Sequence, residues 1–152
     1  MRTSPRGRTL IELREDRRNE AYLDSRGRPT IGVGHTGPEV HLGLFWTNDQ
    51  VDASFEEDVR RFEAAVDASV TVPLNQDQYD ALVSFSVNCG EWALRAGDHG
   101  GPCSILRALN AGDYEGAAAA FDNWCNPPEV TSRRMGEKHQ FIGDVLVARW
   151  PE

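Results

Sequence analysis

The chain has 152 residues and a mass of 16.9 kDa, enough for one domain that buries roughly two thirds of the surface its unfolded form would expose. Apolar side chains at 39% exclude a disordered or collagen-like chain. No run approaches the roughly 18 apolar residues of a spanning helix, and residues 1–8 lack the apolar centre of a secretion signal. The net charge of −8 is uneven: residues 1–35 hold eight Arg against five acids, whereas residues 36–152 hold eight bases against nineteen.

Thr9 followed by Glu12 is a capping-box pattern, and Leu10, Ile11 and Leu13 begin an apolar stripe that predicts a helix to about Arg18, with Glu15 near its last turn. Ala21-Tyr22-Leu23 and the run from Pro29 to Gly34 flank an Asp24-Ser25-Arg26-Gly27 turn and predict a hairpin. So small a sheet must lean on helices. Thr47 and Gln50 open a second capping pattern, and Val51, Phe55, Val59, Phe62 and Val66 trace one face of a long helix. Asn75 with Gln78 caps a third, whose 82–87 run is apolar almost all round and belongs in the middle of a bundle. Residues 96–102 read as loop and 104–110 as a short helix ended by Gly112. Asp113 caps a helix with Tyr114, Ala117, Ala118, Phe121 and Trp124 on one face, Asn126-Pro127-Pro128 stops it, and a last helix is expected from about Ser132 to Ala148. The fold class is therefore α+β and mostly helical. A single domain 1–152 is expected, with an N-lobe over about 9–46, a connecting helix over about 47–68 and a C-lobe over about 74–148.

Cys89, Cys103 and Cys125 match no zinc spacing, allow at most one internal bridge, and default to free thiols where no secretion signal precedes them. The histidines at 35, 41, 99 and 139 form no metal pattern, so neither a metal nor another cofactor is expected.

Glu15 and Asp24 lie nine positions apart across a helix-to-strand junction, with Thr30 six further on the returning strand. Folding the hairpin back brings the three toward one cleft. Glycosidic hydrolysis needs such a set: a protonated carboxyl for the leaving oxygen, a carboxylate to steer water and a polar group to fix that water. Twenty-four acids make many such pairs, so spacing alone leaves a purely structural role open.

The surrounding residues narrow it. Glu15, Arg18, Ala21-Tyr22-x-Asp24, the Gly27 turn and Thr30-Ile31-Gly32-x-Gly34-His35 resemble the N-terminal signature of the phage-type lysozymes, glycoside hydrolase family 24. The resemblance continues through Trp46-Thr47, Val72-Pro73-Leu74, the block 85–90, the block 106–118 and Arg133-Arg134 before Glu137, covering about residues 9–142. It implies an endolysin, a muramidase hydrolysing the β-1,4 bond between N-acetylmuramic acid and N-acetylglucosamine of peptidoglycan with inversion. Carried over residue by residue, Glu15 is the general acid, Asp24 the second carboxylate and Thr30 the water-placing hydroxyl. Inversion implies carboxyls about 6.5–9.5 Å apart. Tyr22, Thr36 and Asn88 fall where the family lines its substrate cleft, and His35 with Asp58 matches a structural His–Asp pair. Arg133 or Arg134 resembles the basic residue that approaches the acid. Near neutral pH, Glu15 must keep its proton above the unperturbed value of about 4.3, which Asp16 and Asp24 would favour and an arginine would oppose.

Asp16 stands where the family usually has Gly and could crowd the cleft, and residues 90–104 are longer and richer in Gly than the pattern. Cys89 and Cys103 flank that segment, as free thiols or as a redox clamp. Trp46, Trp92, Trp124 and Trp150 could stack on sugars, with packing favoured for Trp124. The reading is a monomer without a membrane anchor, held in the host cytoplasm until a holin opens the way to a thin, Gram-negative wall. Rival readings are a silent peptidoglycan-binding domain, a lytic transglycosylase and a helical DNA-binding protein. The acidic body disfavours the last, because phosphate neutralisation supplies most nucleic-acid affinity.

Overall fold

The computed structural model describes residues 1–97 and 100–144. Among the described residues, six helices and one two-stranded sheet follow in the order α1 (Pro5–Glu15), β1 (Arg18–Leu23), β2 (Pro29–Gly32), α2 (Asn48–Ser69), α3 (Gln76–Cys89), α4 (Ser104–Asn110), α5 (Tyr114–Ala120) and α6 (Thr131–Phe141). Two 3-10 turns, Phe121–Trp124 and Pro128–Val130, join the last two helices.

Helix α1 begins earlier than the expected Thr9. Ser4 is the cap, its hydroxyl accepting from the Gly7 N–H at 2.9 Å, and Pro5 occupies the first helical position, where no donor is needed. Thr9 sits inside the helix and donates to the Pro5 carbonyl at 3.1 Å. The helix also stops before the expected Arg18. Asp16 has φ 68° and ψ 164°, a conformation nearly reserved for glycine, and its N–H closes on the Glu12 carbonyl. This turn leaves Glu15 as the last helical residue, at the mouth of the cleft.

The hairpin pairs Tyr22 with Thr30 and Leu23 with Pro29, with an irregularity between Arg18 and Tyr22. Its short sheet leans on α2, as its size requires. The capping boxes at Thr47–Gln50 and Asn75–Gln78 both form reciprocally. All five apolar positions named on α2 are buried, and α3 is buried without a break from Tyr79 to Ser86, the central bundle helix expected from its composition. Phe85 of α3 meets the edges of Phe121 and Trp124 at 5.9 and 5.1 Å. Each fully buried side chain of this kind contributes about 1.5–3 kcal/mol.

The α5 stripe is right, but its second half tightens into the 3-10 turn Phe121–Trp124. Helix α6 ends at Phe141, short of Ala148: Ile142 closes it and Gly143 has φ 80°. Residues 145–148 of the expected helix, His99 and Trp150 lie outside the described residues. One core runs from Ile11 through α2, α3 and α4 to Phe141, and a smaller one of Ala21, Ile31 and Val40 sits under the sheet. Trp46 packs against both and ties the sheet to the helices.

Candidate active site

A cleft of about 630 Å³ opens between the hairpin and the helices, a size suited to an organic ligand. Tyr22, Asp24, Thr30 and Thr36 line it from the sheet side and Asn88 and Arg134 from the helical side, with Glu15 at the end of α1 between them. The candidate catalytic and substrate-contacting residues are thus brought together on one surface.

Asp24 is held by its own turn. Its Oδ1 accepts from the backbone N–H groups of Arg26 at 2.8 Å and Arg28 at 2.9 Å, and its Oδ2 from the Arg28 side chain at 3.0 Å. Partial desolvation opposes its charge, but these donors outweigh it and hold the carboxyl below the ordinary range, so Asp24 is an anion at neutral pH. A carboxylate has about four acceptor sites. Three are taken, and one remains on Oδ2. Thr30 donates its hydroxyl proton to the Arg28 carbonyl at 3.0 Å, which leaves the hydroxyl oxygen as an acceptor.

Glu15 is held from the other side. Arg133 Nη1 stands 2.5 Å from its Oε1, a close ion pair without the alignment of a hydrogen bond. A Cβ on Gly34 would lie only 2.7 Å from Glu15 Oε2, and Gly34 has φ 68°. Glycine is therefore needed there twice over, for its backbone angle and for the approach of the acid. Asp16, expected to crowd the cleft, does not line it. Its carboxylate is 65% exposed and accepts from the Arg17 N–H and the Arg18 side chain. Tyr22 is half-buried, with Arg18 stacked 4.8 Å from its ring centre. Burial, followed by the charge of Glu15, raises its phenol above the ordinary value.

A model of the phage lysozyme family matches residues 13–137. The chain belongs to the phage lysozyme family. It is a lysozyme-type glycoside hydrolase, a muramidase of the endolysin kind. Among its relatives, the endolysin of Salmonella phage P22 is 40% identical over 93% of this chain and 99% of its own. The muramidase domain of SpmX from Asticaccaulis excentricus superposes with a TM-score of 0.78 at 35% identity, covering 93% of this chain and 97% of that one. The endolysin from Escherichia coli O157:H7 phage FAHEc1 does so with a TM-score of 0.84 at 30% identity, covering 100% and 98%.

In this lysozyme the two candidate arginines divide their work. Arg133 takes Glu15, while Arg134 Nε donates to the Trp124 carbonyl at 3.1 Å and its Nη2 reaches Asn88 and, at 2.9 Å, Cys89 Sγ. Both are anchored on Glu137, fully buried, which also accepts from the Ser84 hydroxyl at 2.7 Å. Arg14 donates to Ser84 and Gln140 at 2.9 Å each. Glu137 holds its charge below the ordinary carboxyl range because the arginines outweigh its burial. The sequence reading did not single out this hub. Its available signal is the four-residue spacing of Arg133 and Glu137, which places them on one helix face about a turn apart.

His35 joins the loop after the sheet to α2: Nδ1 lies 2.7 Å from Asp58 and Nε2 lies 2.7 Å from Glu39. The Asp58 contact above all, with Glu39 added, overcomes burial and raises the imidazole to about 9. Glu39 is a partner that the sequence reading did not name. All three cysteines are free, and burial pushes the Cys89 thiol up to about 11.

No described helix is long and apolar enough to cross a membrane.

Proposed function

We propose that this lysozyme cuts the β-1,4 bond between N-acetylmuramic acid and N-acetylglucosamine of peptidoglycan by an inverting displacement. Glu15 donates its proton to the glycosidic oxygen as the C–O bond breaks. Asp24 and Thr30 hold water on the opposite face of the sugar, and the water's oxygen bonds to the anomeric carbon while its proton passes toward Asp24. Asp24 also stabilises the oxocarbenium-like charge that develops. The observation that carries this reading is the acceptor arithmetic across the cleft. Asp24 keeps one acceptor site, and Thr30, its proton already given to Arg28, keeps its own.

Tyr22, Thr36 and Asn88 contact the glycan, and His35 with Asp58 acts in stability. The continuous core supports a single domain 1–152. The enzyme acts as a monomer and reaches the wall through a membrane opening made by a holin.

Purified peptidoglycan digested with the parent and with Glu15→Gln, followed by mass analysis, tests the assignment. Products heavier by one water and a loss of turnover in Glu15→Gln are expected. Equal rates would remove Glu15 as the acid, and anhydro ends would make the enzyme a transglycosylase.

A further inference from the structure

We propose that Trp92 is a sugar-stacking platform of the cleft, a binding residue for one pyranose ring of the glycan beside the bond that is cut. The proposal rests on the glycan-cleaving reading above and adds a subsite to it.

Trp92 is 63% exposed and lines the cleft on the helical side. Of the other described tryptophans, Trp46 and Trp124 pack against the core, and Trp124 also reaches the cleft lining, so Trp92 is the described indole that stands mostly exposed there. An indole left in water is informative when its backbone is fixed, because a mobile loop could simply fold it away. Here the backbone is fixed. Ala93 and Leu94, next to it, are buried. The Trp92 carbonyl accepts from the N–H groups of Arg95 at 2.9 Å and Ala96 at 2.8 Å, and the Leu94 carbonyl accepts from Cys103 at 2.9 Å. Arg95 donates to Ser69 of α2 at 2.9 Å, and Glu91 pairs with Arg61 of α2 at 3.5 Å. The turn is tied to the helices on both sides of the indole.

What the indole faces suits a sugar. A pyranose ring presents C–H groups on its faces and hydroxyls around its edge, so it stacks on an aromatic plane while its edge bonds to polar groups. Most of the remaining lining is polar: Glu15, Asp24, Arg28, Thr36 and Asn88. The indole supplies the apolar plane, and these side chains supply partners for the hydroxyl edge.

Steady-state kinetics on purified peptidoglycan with the parent, Trp92→Ala and Trp92→Phe test the proposal. Trp92→Ala is expected to raise KM about tenfold, a loss of about 1.4 kcal/mol, with kcat unchanged within about twofold. Trp92→Phe, which keeps an aromatic face, is expected to restore most of the affinity. In parallel, tryptophan fluorescence is followed in Glu15→Gln as a soluble β-1,4-linked N-acetylglucosamine oligomer is added. The change seen there is expected to lose most of its amplitude when Trp92 is also replaced by Phe, Trp124 being the other described indole on the cleft. An unchanged KM in Trp92→Ala, or a fluorescence change undiminished by the second substitution, would overturn the proposal. So would affinity lost for peptide-bearing wall but kept for the peptide-free oligomer, which would assign the indole to the stem peptide. Rapid turnover by Glu15→Gln would instead count against the acid assignment and leave the binding result standing.

Discussion

The two walls of the cleft are built on opposite plans. On the sheet side, Asp24 and Thr30 are fixed by contacts within four residues: the Arg26 and Arg28 N–H groups, the Arg28 guanidinium and the Arg28 carbonyl. On the helical side, Arg133 is fixed by Glu137 and Ser84, and Arg14 of α1 reaches the same group through Ser84. In the first plan the charges stay partly wet, and the desolvation of Asp24 is outweighed by donors from its own turn. The second buries three arginines around one fully buried glutamate, and every partner must be present for the charges to be tolerated. Replacement of single residues should therefore damage activity on one wall and stability on the other.

The largest effects probe that contrast directly. Asp24→Asn is expected to lower kcat by about 10²–10⁴-fold while shifting urea-unfolding stability by no more than about 1 kcal/mol. Glu137→Gln is expected to do the reverse first, costing about 3–5 kcal/mol because Arg133 and Arg134 lose their shared anion. Equal stability losses in the two variants would erase the distinction between the walls.

Gly34→Ala sharpens it from the centre, where the walls meet at Glu15. The added methyl would lie 2.7 Å from the acid's Oε2 at φ 68°. A stability loss of about 1–2 kcal/mol with a kcat loss of about 10–100-fold is expected. Full activity in a folded Gly34→Ala enzyme would show that the acid tolerates displacement.

His35 provides a pH-resolved version of the same question. Its folded-state pKa of about 9 exceeds the unfolded value of about 6.5, so its stabilisation is fully present below pH 6.5 and is lost as pH rises through 9. Allowing for the half-exposed Glu39 partner, about 2 kcal/mol is expected near pH 6. His35→Asn should lower the melting temperature there, match the parent above pH 9, and keep its turnover. An inactive but equally stable variant would move His35 into the chemistry.

The smallest effect is a gain. Asp16→Gly removes a side chain from a backbone conformation that favours glycine and should stabilise by about 1 kcal/mol with activity retained. A loss of stability would mean that the Asp16 contacts with Arg17 and Arg18 outweigh the strain.

The same contrast explains which features are legible in the sequence. The hairpin, the Asp24 turn and the capping boxes of α2 and α3 are local, and their residue types announce them. The family resemblance drew on those local blocks. The Ser4 cap was not legible, because Thr9-x-x-Glu12 offers the same pattern and only the contacts of Ser4 with Asp80 of α3 decide between them. The stop at Asp16 was hidden for the opposite reason: the position takes a glycine conformation without being glycine. The choice between Arg133 and Arg134 depends on which faces α1 and which faces Asn88, a matter of how α6 packs on α3. The close approach of Gly34 to the acid needs a contact between chain segments nineteen residues apart.

The central claim is that Asp24 and Thr30 hold water across the cleft from the proton donor Glu15. Proton NMR of the first reducing ends released from peptidoglycan tests it most directly. Attack by that water on a β-linked sugar delivers the α-anomer first, with the β form growing in later by mutarotation. Initial appearance of the β-anomer would contradict the claim.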